Sequence, residues 1–402
     1  MSFFIFLVGL SLCLFALINR KAALLLLPAL TPLYLVRFGI FGIPTTLLEI
    51  IILNIIILHV FKDHHLLHEA YKKIVHNKKI LFPILAILIA TIVSIIIAPS
   101  PLAALGLARA YIFEPLAIAF IFFATCKTSD YKVIAASTSY TALAIALGAL
   151  LQYYGELPFP NPTWAKELRL TSFYPFPNAI GLYLAPLIPL FVWRIKETTG
   201  INRLWYSSIT FISITTIFFA QSEGALIALL GTALIAGILH GKILRRLSIS
   251  AIIAGIALIA LVTPLQQKIF LQDWSGTVRR LMWNETTTML TSSPRYFFFG
   301  AGLSGYPEAV KPFHKTTIEI FQYPHTLVYN LWTELGLLGL LGFLSILALS
   351  LHAHFNTYSS THRALAYSLI IMIIHGLVDV PFFKNDLAIL TAFLLVLPQD
   401  KK

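Results

Sequence analysis

Apolar stretches of about 17 to 25 residues, long enough for a helix to cross the hydrocarbon core of a bilayer, recur along this whole chain. They fall near 2–19, 22–38, 41–60, 80–98, 104–125, 132–151, 178–194, 204–220, 223–240, 247–263, 326–351, 364–380 and 385–398. A soluble domain could not cover so much apolar surface, since 58% of the 402 residues are hydrophobic and 11% charged. The predicted fold class is all-α: a polytopic transmembrane bundle of 12–13 helices. The last span is short and the first hairpin tight. No internal repeat or low-complexity tract divides the chain, so residues 1–402 read as one integral membrane domain.

A net charge of +12 would fit nucleic acid, but its distribution does not. Lys and Arg gather in short inter-helix loops: "KDHHLLHEAYKKIVHNKK" (62–79), "RIKETTGINR" (194–203) and "GKILRR" (241–246). Cytoplasmic loops carry that bias, so no nucleic-acid partner is expected. Alternation then sends 152–177, the turn at 221–222 and the stretch 264–324 outside, with the N-terminus outside and the terminal "DKK" inside. The 264–324 segment exceeds an ordinary connection and is expected to be a functional extracytoplasmic loop. Cys13 and Cys126 lie in or beside apolar segments and form no disulfide framework. The opening "SFFIFLVGLSLCLFALIN" lacks a basic n-region and an A-x-A-like site, so it is expected to stay as a helix.

The polar residues of the membrane segments collect on the outer side. Arg169 precedes a Pro- and Asn-rich re-entry, "YPFPNAIGLYLAP". Ser222 and Glu223 open a span where a carboxylate suits the positive dipole end. Arg279 and Trp283 are four apart, on one face if that piece is helical. His375 and Asp379 are also four apart, near the outer end of a span. Each has a plain reading: a snorkelling loop arginine at Arg169, a solvated basic pair at Arg279 and Arg280, a pair that joins two helices at His375 and Asp379. Together they bring Arg, His and carboxylate to one boundary, and ionisable residues there are functional hypotheses by default.

"QYPHTLVYNLWTELGLLGLLGF" (322–343) puts His325 at the start of a span and Glu334 nine residues deeper. At about 100° per residue the two point to opposite sides of a helix, at depths about 13 Å apart. Glu334 therefore reads as structural, paired with a polar group inside the bundle. His325 stands at a helix N-terminus, where the dipole disfavours a cation. A neutral imidazole there can accept a proton, as a general base must.

These residues resemble the superfamily of O-antigen ligases and O-antigen polymerases, membrane glycosyltransferases. The resemblance rests on four motifs in order over about 160–397: "RLTSFYPFPNAIGLYL", "RRLMWNETTTMLTSSPRYFFFGAGLSGY", "HTLVYNLWTELGLLGLLGF" and "HGLVD". One position departs: the family usually has Asn after the histidine, and this chain has Thr326. The resemblance implies a GT-C-like helical fold and transfer of a glycan from a polyprenyl diphosphate carrier to a lipid, glycan or protein acceptor. It places the reaction on the extracytoplasmic face of the cytoplasmic (inner) membrane. Carried over by motif, it makes His325 the base and Arg169 and Arg279 the diphosphate clamps. Arg280 cannot be separated from Arg279 by sequence, and Glu334, His375 and Asp379 are supporting residues.

The residue types suit that chemistry. A departing diphosphate needs fixed cations or a metal. Metal sites of that kind favour clustered carboxylates, and no Asp-x-Asp or similar cluster occurs on the outer side. Arginine forks onto phosphate oxygens and keeps its charge. No metal and no cofactor is therefore expected, and direct attack on the anomeric carbon would invert it. Gly300-x-Gly302 follows no strand and reads as a turn, and His64, His65 and His68 read as a solvated loop. Two alternatives stay open. A polymerase or protein O-glycosyltransferase would share the donor chemistry. A transporter or flippase would account for Arg37, Glu49, Arg109 and Glu114, although transporters commonly show repeated halves.

Overall fold

The computed structural model describes residues 2–40, 43–316 and 318–397. The terminal Asp-Lys-Lys, expected on the cytoplasmic side, lies outside them. The first half runs α1 (Ser2–Ile18), α2 (Arg20–Leu30), α3 (Leu47–Lys62), α4 (His64–His76), α5 (Lys78–Ile97), α6 (Pro101–Ala108), α7 (Glu114–Thr125) and α8 (Tyr131–Tyr153). Among the described residues, six helical segments are long and apolar enough to cross a membrane, or seven if the bent α3–α4 pair is one span. The chain is a multi-pass membrane protein. The shortfall from 12–13 has visible causes. The stretch 22–38 breaks at Thr31–Leu35 into a 3₁₀ turn and a β-hairpin, β1 (Arg37–Ile40) against β2 (Ile43–Thr46). Leu7–Ile18, Glu223–Leu239 and Asn385–Leu395 are apolar but shorter than a full span.

α3 and α4 meet at 93°. Thr46 and Glu49 form a reciprocal capping box at the start of α3. At its other end Asp63 accepts from Arg20 Nε (2.6 Å) and Nη2 (2.7 Å) and faces His59 Nδ1 (2.8 Å). That fork pins the α1–α2 turn to the bend. Arg109 joins Glu49 (2.7 Å) and lies 3.4 Å from Glu114 across a π-helical turn, Arg109–Phe113, which links α6 to α7. Two of the charges that the transporter reading would use thus neutralise each other inside the bundle.

The second half has α9 (Pro162–Lys166), α10 (Asn178–Leu184), α11 (Ile188–Glu197), α12 (Gly200–Phe219), α13 (Glu223–Leu239), α14 (Lys242–Leu261), α15 (Thr263–Ile269), α16 (Trp274–Thr291), α17 (Pro294–Phe299), α18 (Tyr306–Val310), α19 (Leu327–Asn356), α20 (Ser360–His375) and α21 (Asn385–Leu395). Residues 264–324 are therefore not one open loop. They carry α15 to α18, and α16, α17 and α18 meet at a small core of Met289, Leu290, Tyr306 and Val310 with Tyr296 against it. Lys21 pairs with Asp130 (2.7 Å), and Glu197, within the basic 194–203 segment, accepts from Ser360 (2.8 Å) at the start of α20, the other end of that helix from His375.

α19 packs along α5 because small residues let the backbones approach. A Cβ on Gly342 would lie 3.0 Å from the Pro83 carbonyl, and one on Gly339 would lie 3.1 Å from Ala90 Cβ. The helix is broken at Gly336, whose φ of 69° and ψ of 179° are non-helical. The turn after α17 fits into that break, with Ala301 N donating to the freed Thr333 carbonyl at 2.7 Å. Gly300 has no room for a side chain: a Cβ would sit 2.4 Å from the Trp332 and Thr333 carbonyls. The Gly-x-Gly is a packing turn, as its sequence context implied.

Candidate active site

Four segments meet at one end of the bundle. α16 starts at an Asp273 cap whose side chain accepts from Gly276 N (3.1 Å). It is helical through both Arg279 and Trp283, so these share a face. The Trp283 indole donates to the Pro324 carbonyl (2.9 Å), which ties that face to the residue before His325. The two arginines separate at once. Arg279 is half-buried and its charge acts on Arg169, whereas Arg280 is exposed and reaches Thr277 at 3.5 Å.

His325 is not in the helix. Thr326 is the N-cap of α19, its side chain accepting from Tyr329 N (3.1 Å), and His325 stands one residue further out with φ of 44°. This corrects the helical-wheel reading, since the 100° rotation does not apply across a left-handed residue. Thr326 also explains the departure from Asn, because both residue types cap helices well. The helix entry is held by Leu327 N donating to the Gly376 carbonyl (2.8 Å), at the turn after α20. That bond brings the 376–384 loop against His325.

Asp379 lies in this loop, 3% exposed, with Oδ1 3.7 Å from His325 Nδ1. The distance is an ion-pair separation rather than a hydrogen bond. The same Oδ1 accepts from Val380 N (2.8 Å), and Oδ2 accepts from Asn178 Nδ2 (2.9 Å). Asn178 Oδ1 in turn accepts from Arg169 Nη2 (2.8 Å), and Arg169 Nε donates to the Ala220 carbonyl (3.2 Å). Burial lowers the Arg169 pKa, and the Arg279 charge works in the same direction. The His325 ring is flanked by Tyr323 and Phe321, with centroids 4.7 and 5.3 Å away.

The remaining expected residues sit around this line. His375, expected to share a helical face with Asp379, ends α20. It packs instead against Gly224, where a Cβ would come within 2.9 Å of its ring. Glu223 opens α13 and pairs with Lys268 of α15. Glu334 is buried, but its partner is not a side chain on another helix. Its Oε2 accepts from Ser304 N (2.6 Å), and its carbonyl accepts from Ser94 Oγ of α5 (2.5 Å). It fastens the Gly-x-Gly turn to the helix break. His64, His65 and His68 lie exposed on α4, at the far end.

Backbone strain concentrates here. Leu168, Ser172, Gln221, Ser304 and His325 are all non-glycine residues with positive φ, between 44° and 62°. Leu168 and Gln221 adjoin Arg169 and Ala220 in sequence, Ser304 donates its N–H to Glu334, and His325 carries the imidazole, while Ser172 is held by Gln152 and the Ile145 carbonyl. Such strain is held at sites where geometry matters. Asn178 and Tyr323 were not singled out from sequence. Asn178 was visible only as the Asn of a Pro-Asn re-entry, with nothing local to show what it bridges.

Residues 208–344 match the family model described as O-Antigen ligase. The match takes in Arg279, Arg280, His325 and Glu334, and ends before His375 and Asp379. No curated protein matches the chain significantly.

Proposed function

We propose that this protein is a membrane glycosyltransferase that moves a glycan from a polyprenyl diphosphate carrier to an acceptor hydroxyl. The observation that carries the reading is the continuous polar line Arg169–Asn178–Asp379–His325, drawn from three separate segments and set beside Arg279. The O-antigen ligase match over 208–344 supports the substrate class, a lipid-linked glycan. His325 Nδ1 faces a carboxylate, so the proton of the neutral ring sits there and Nε2 is left to accept one. The acceptor hydroxyl gives its proton to Nε2 as its oxygen bonds to the anomeric carbon. The bond from that carbon to the diphosphate oxygen breaks, and the electron pair leaves with the diphosphate. Asp379 stabilises the imidazolium that forms.

Arg279 and the unused N–H groups of Arg169 meet the charge that develops on the leaving group, the largest electrostatic demand of the reaction. The reaction needs no metal on this account, because the fixed cations are side chains. The single displacement inverts the anomeric carbon. The positive-inside rule, applied to the basic 194–203 segment at the other end of α20, supports a site on the extracytoplasmic face of the cytoplasmic membrane. Residues 264–324 then form the extracytoplasmic cap within one membrane domain, and His375 and Glu334 are packing residues.

The test is transfer by purified protein from a polyprenyl diphosphate–linked glycan to lipid, glycan and protein acceptors, with chelator present. Which acceptor is used separates ligase, polymerase and protein O-glycosyltransferase. Normal transfer by His325→Ala sinks the base assignment, dependence on added divalent metal sinks the arginine argument, and a retained anomeric configuration sinks direct displacement.

A further inference from the structure

We infer that Asn178 is a positioning residue that couples the donor diphosphate at Arg169 to the proton-accepting state of His325 through Asp379. The inference rests on the glycosyltransferase reading and adds to it a link between the donor and base sites.

The orientation of the Asn178 amide is fixed by its partners. Arginine only donates and an ionised carboxylate only accepts, so Oδ1 must face Arg169 and Nδ2 must face Asp379. The side chain is thus a one-way bridge of two bonds, 2.8 and 2.9 Å long. A cation on the amide oxygen polarises the amide and strengthens the bond that its N–H makes. In the free enzyme the Arg169 charge therefore bears on Asp379 and shares the carboxylate's charge with the side facing His325. A diphosphate on Arg169 neutralises that pull. Asp379 then offers more of its charge to His325, whose Nδ1 stands 3.7 Å off and has room to close. The base is strengthened when donor is bound, and the free enzyme is held back from activating water.

The surrounding charges do not replace this route. Arg279 reaches the centre from α16, His375 from α20, Lys384 from the loop before α21 and Tyr323 from the segment before His325. None of them is hydrogen-bonded to both Arg169 and Asp379. Asn178 is itself anchored at the first residue of α10, between the buried Pro177 and Ala179, so the bridge is held in place by the helix start.

The experiment uses full-length protein in detergent, polyprenyl diphosphate–linked N-acetylglucosamine as donor probe, and release of polyprenyl diphosphate as readout. Asn178→Asp keeps an acceptor for Arg169 but sets an oxygen against the Asp379 carboxylate. It should lower kcat about tenfold or more with donor KM within about threefold of wild type. Asn178→Leu removes both bonds and should raise KM as well as lower kcat. Thermal melts confirm that each variant is folded. If Asn178→Asp keeps wild-type kcat, or if both variants change kcat and KM in the same proportion, the coupling is wrong. His325→Gln in the same assay separates the two ideas. Loss of turnover there with an unaffected Asn178→Asp rejects only the coupling, while normal turnover by His325→Gln rejects the glycosyltransferase base itself.

Discussion

Asp379 Oδ1 faces His325 Nδ1 at 3.7 Å, while the other oxygen of the same carboxylate is held by Asn178. Oδ1 also accepts from Val380 N (2.8 Å), so the carboxylate is held at both oxygens and stays aimed at the imidazole when that ring gains a proton. General bases contribute about 10²- to 10⁴-fold to rate. His325→Gln is expected to lose at least about 100-fold in transfer with unchanged melting, and Asp379→Asn rather less in transfer but with a lowered Tm, because its amide nitrogen must face either Val380 N or Asn178 Nδ2. Steady-state transfer assays beside thermal unfolding check this.

The two arginines of α16 should behave differently despite being neighbours in sequence. Arg279→Gln removes the cation on the Trp283 face and is expected to cost about tenfold or more in kcat/KM for donor. Arg280→Gln touches an exposed side chain and should stay within about twofold. Equal losses from both would mean that the donor is met by the helix as a whole.

Thr326 tests whether the position after the histidine is a cap. Thr326→Asn should keep both stability and transfer, and Thr326→Ala should lose about 1 kcal/mol of stability. A large loss of transfer in the stable Asn variant would show that the hydroxyl does more than cap α19.

A pH effect is expected outside the membrane helices. His314 Nδ1 meets Glu285 Oε2 at 3.0 Å and Nε2 meets the Ile318 carbonyl at 2.8 Å, so both ring nitrogens face acceptors and the protonated ring is favoured. The Glu285 hydrogen bond raises the His314 pKa above its ordinary value. The stabilisation is then complete below about pH 6.5 and is lost as pH rises through the higher folded value. Limited proteolysis around 311–320 should speed up over that window in wild type, and should be fast and pH-independent in Glu285→Gln.

Gly336→Ala and Gly300→Ala should each be severely destabilising. Each residue has positive φ, and each Cβ would strike backbone within about 2.5 Å. At φ 69°, ψ 179° and φ 70°, ψ −155° both lie in a region open essentially to glycine alone, where a side chain costs roughly 1–3 kcal/mol, and the overlap adds to that. Thermal melts of detergent-purified variants, or their failure to accumulate, would show it.

How far the sequence could be read depended on whether the signal was local. The apolar runs and the basic loops are local, and they gave a multi-pass helical bundle. The α16 face carrying Arg279 and Trp283 was legible from a spacing of four. The count of spans was not, because Thr31–Leu35 and the hairpin after it break one apolar stretch and three further apolar helices fall short of a span. The His325–Glu334 geometry failed for a similar reason: one left-handed residue ends a periodicity that composition cannot see. Asn178 lies 201 residues from Asp379, and no spacing rule reaches that far.

The interlock of Gly300 and Gly336 has an evolutionary consequence. A Cβ on Gly300 would enter the backbone of 332–333, and a Cβ on Gly336 would enter that of 298–299. Each position is empty because the other segment fills it, so neither glycine can be replaced first without loss. Homologues should therefore keep both or have changed both, with the turn length between them altered as well. Such paired turnover would read in an alignment as a single historical event, separated in sequence by the entire segment that carries the histidine.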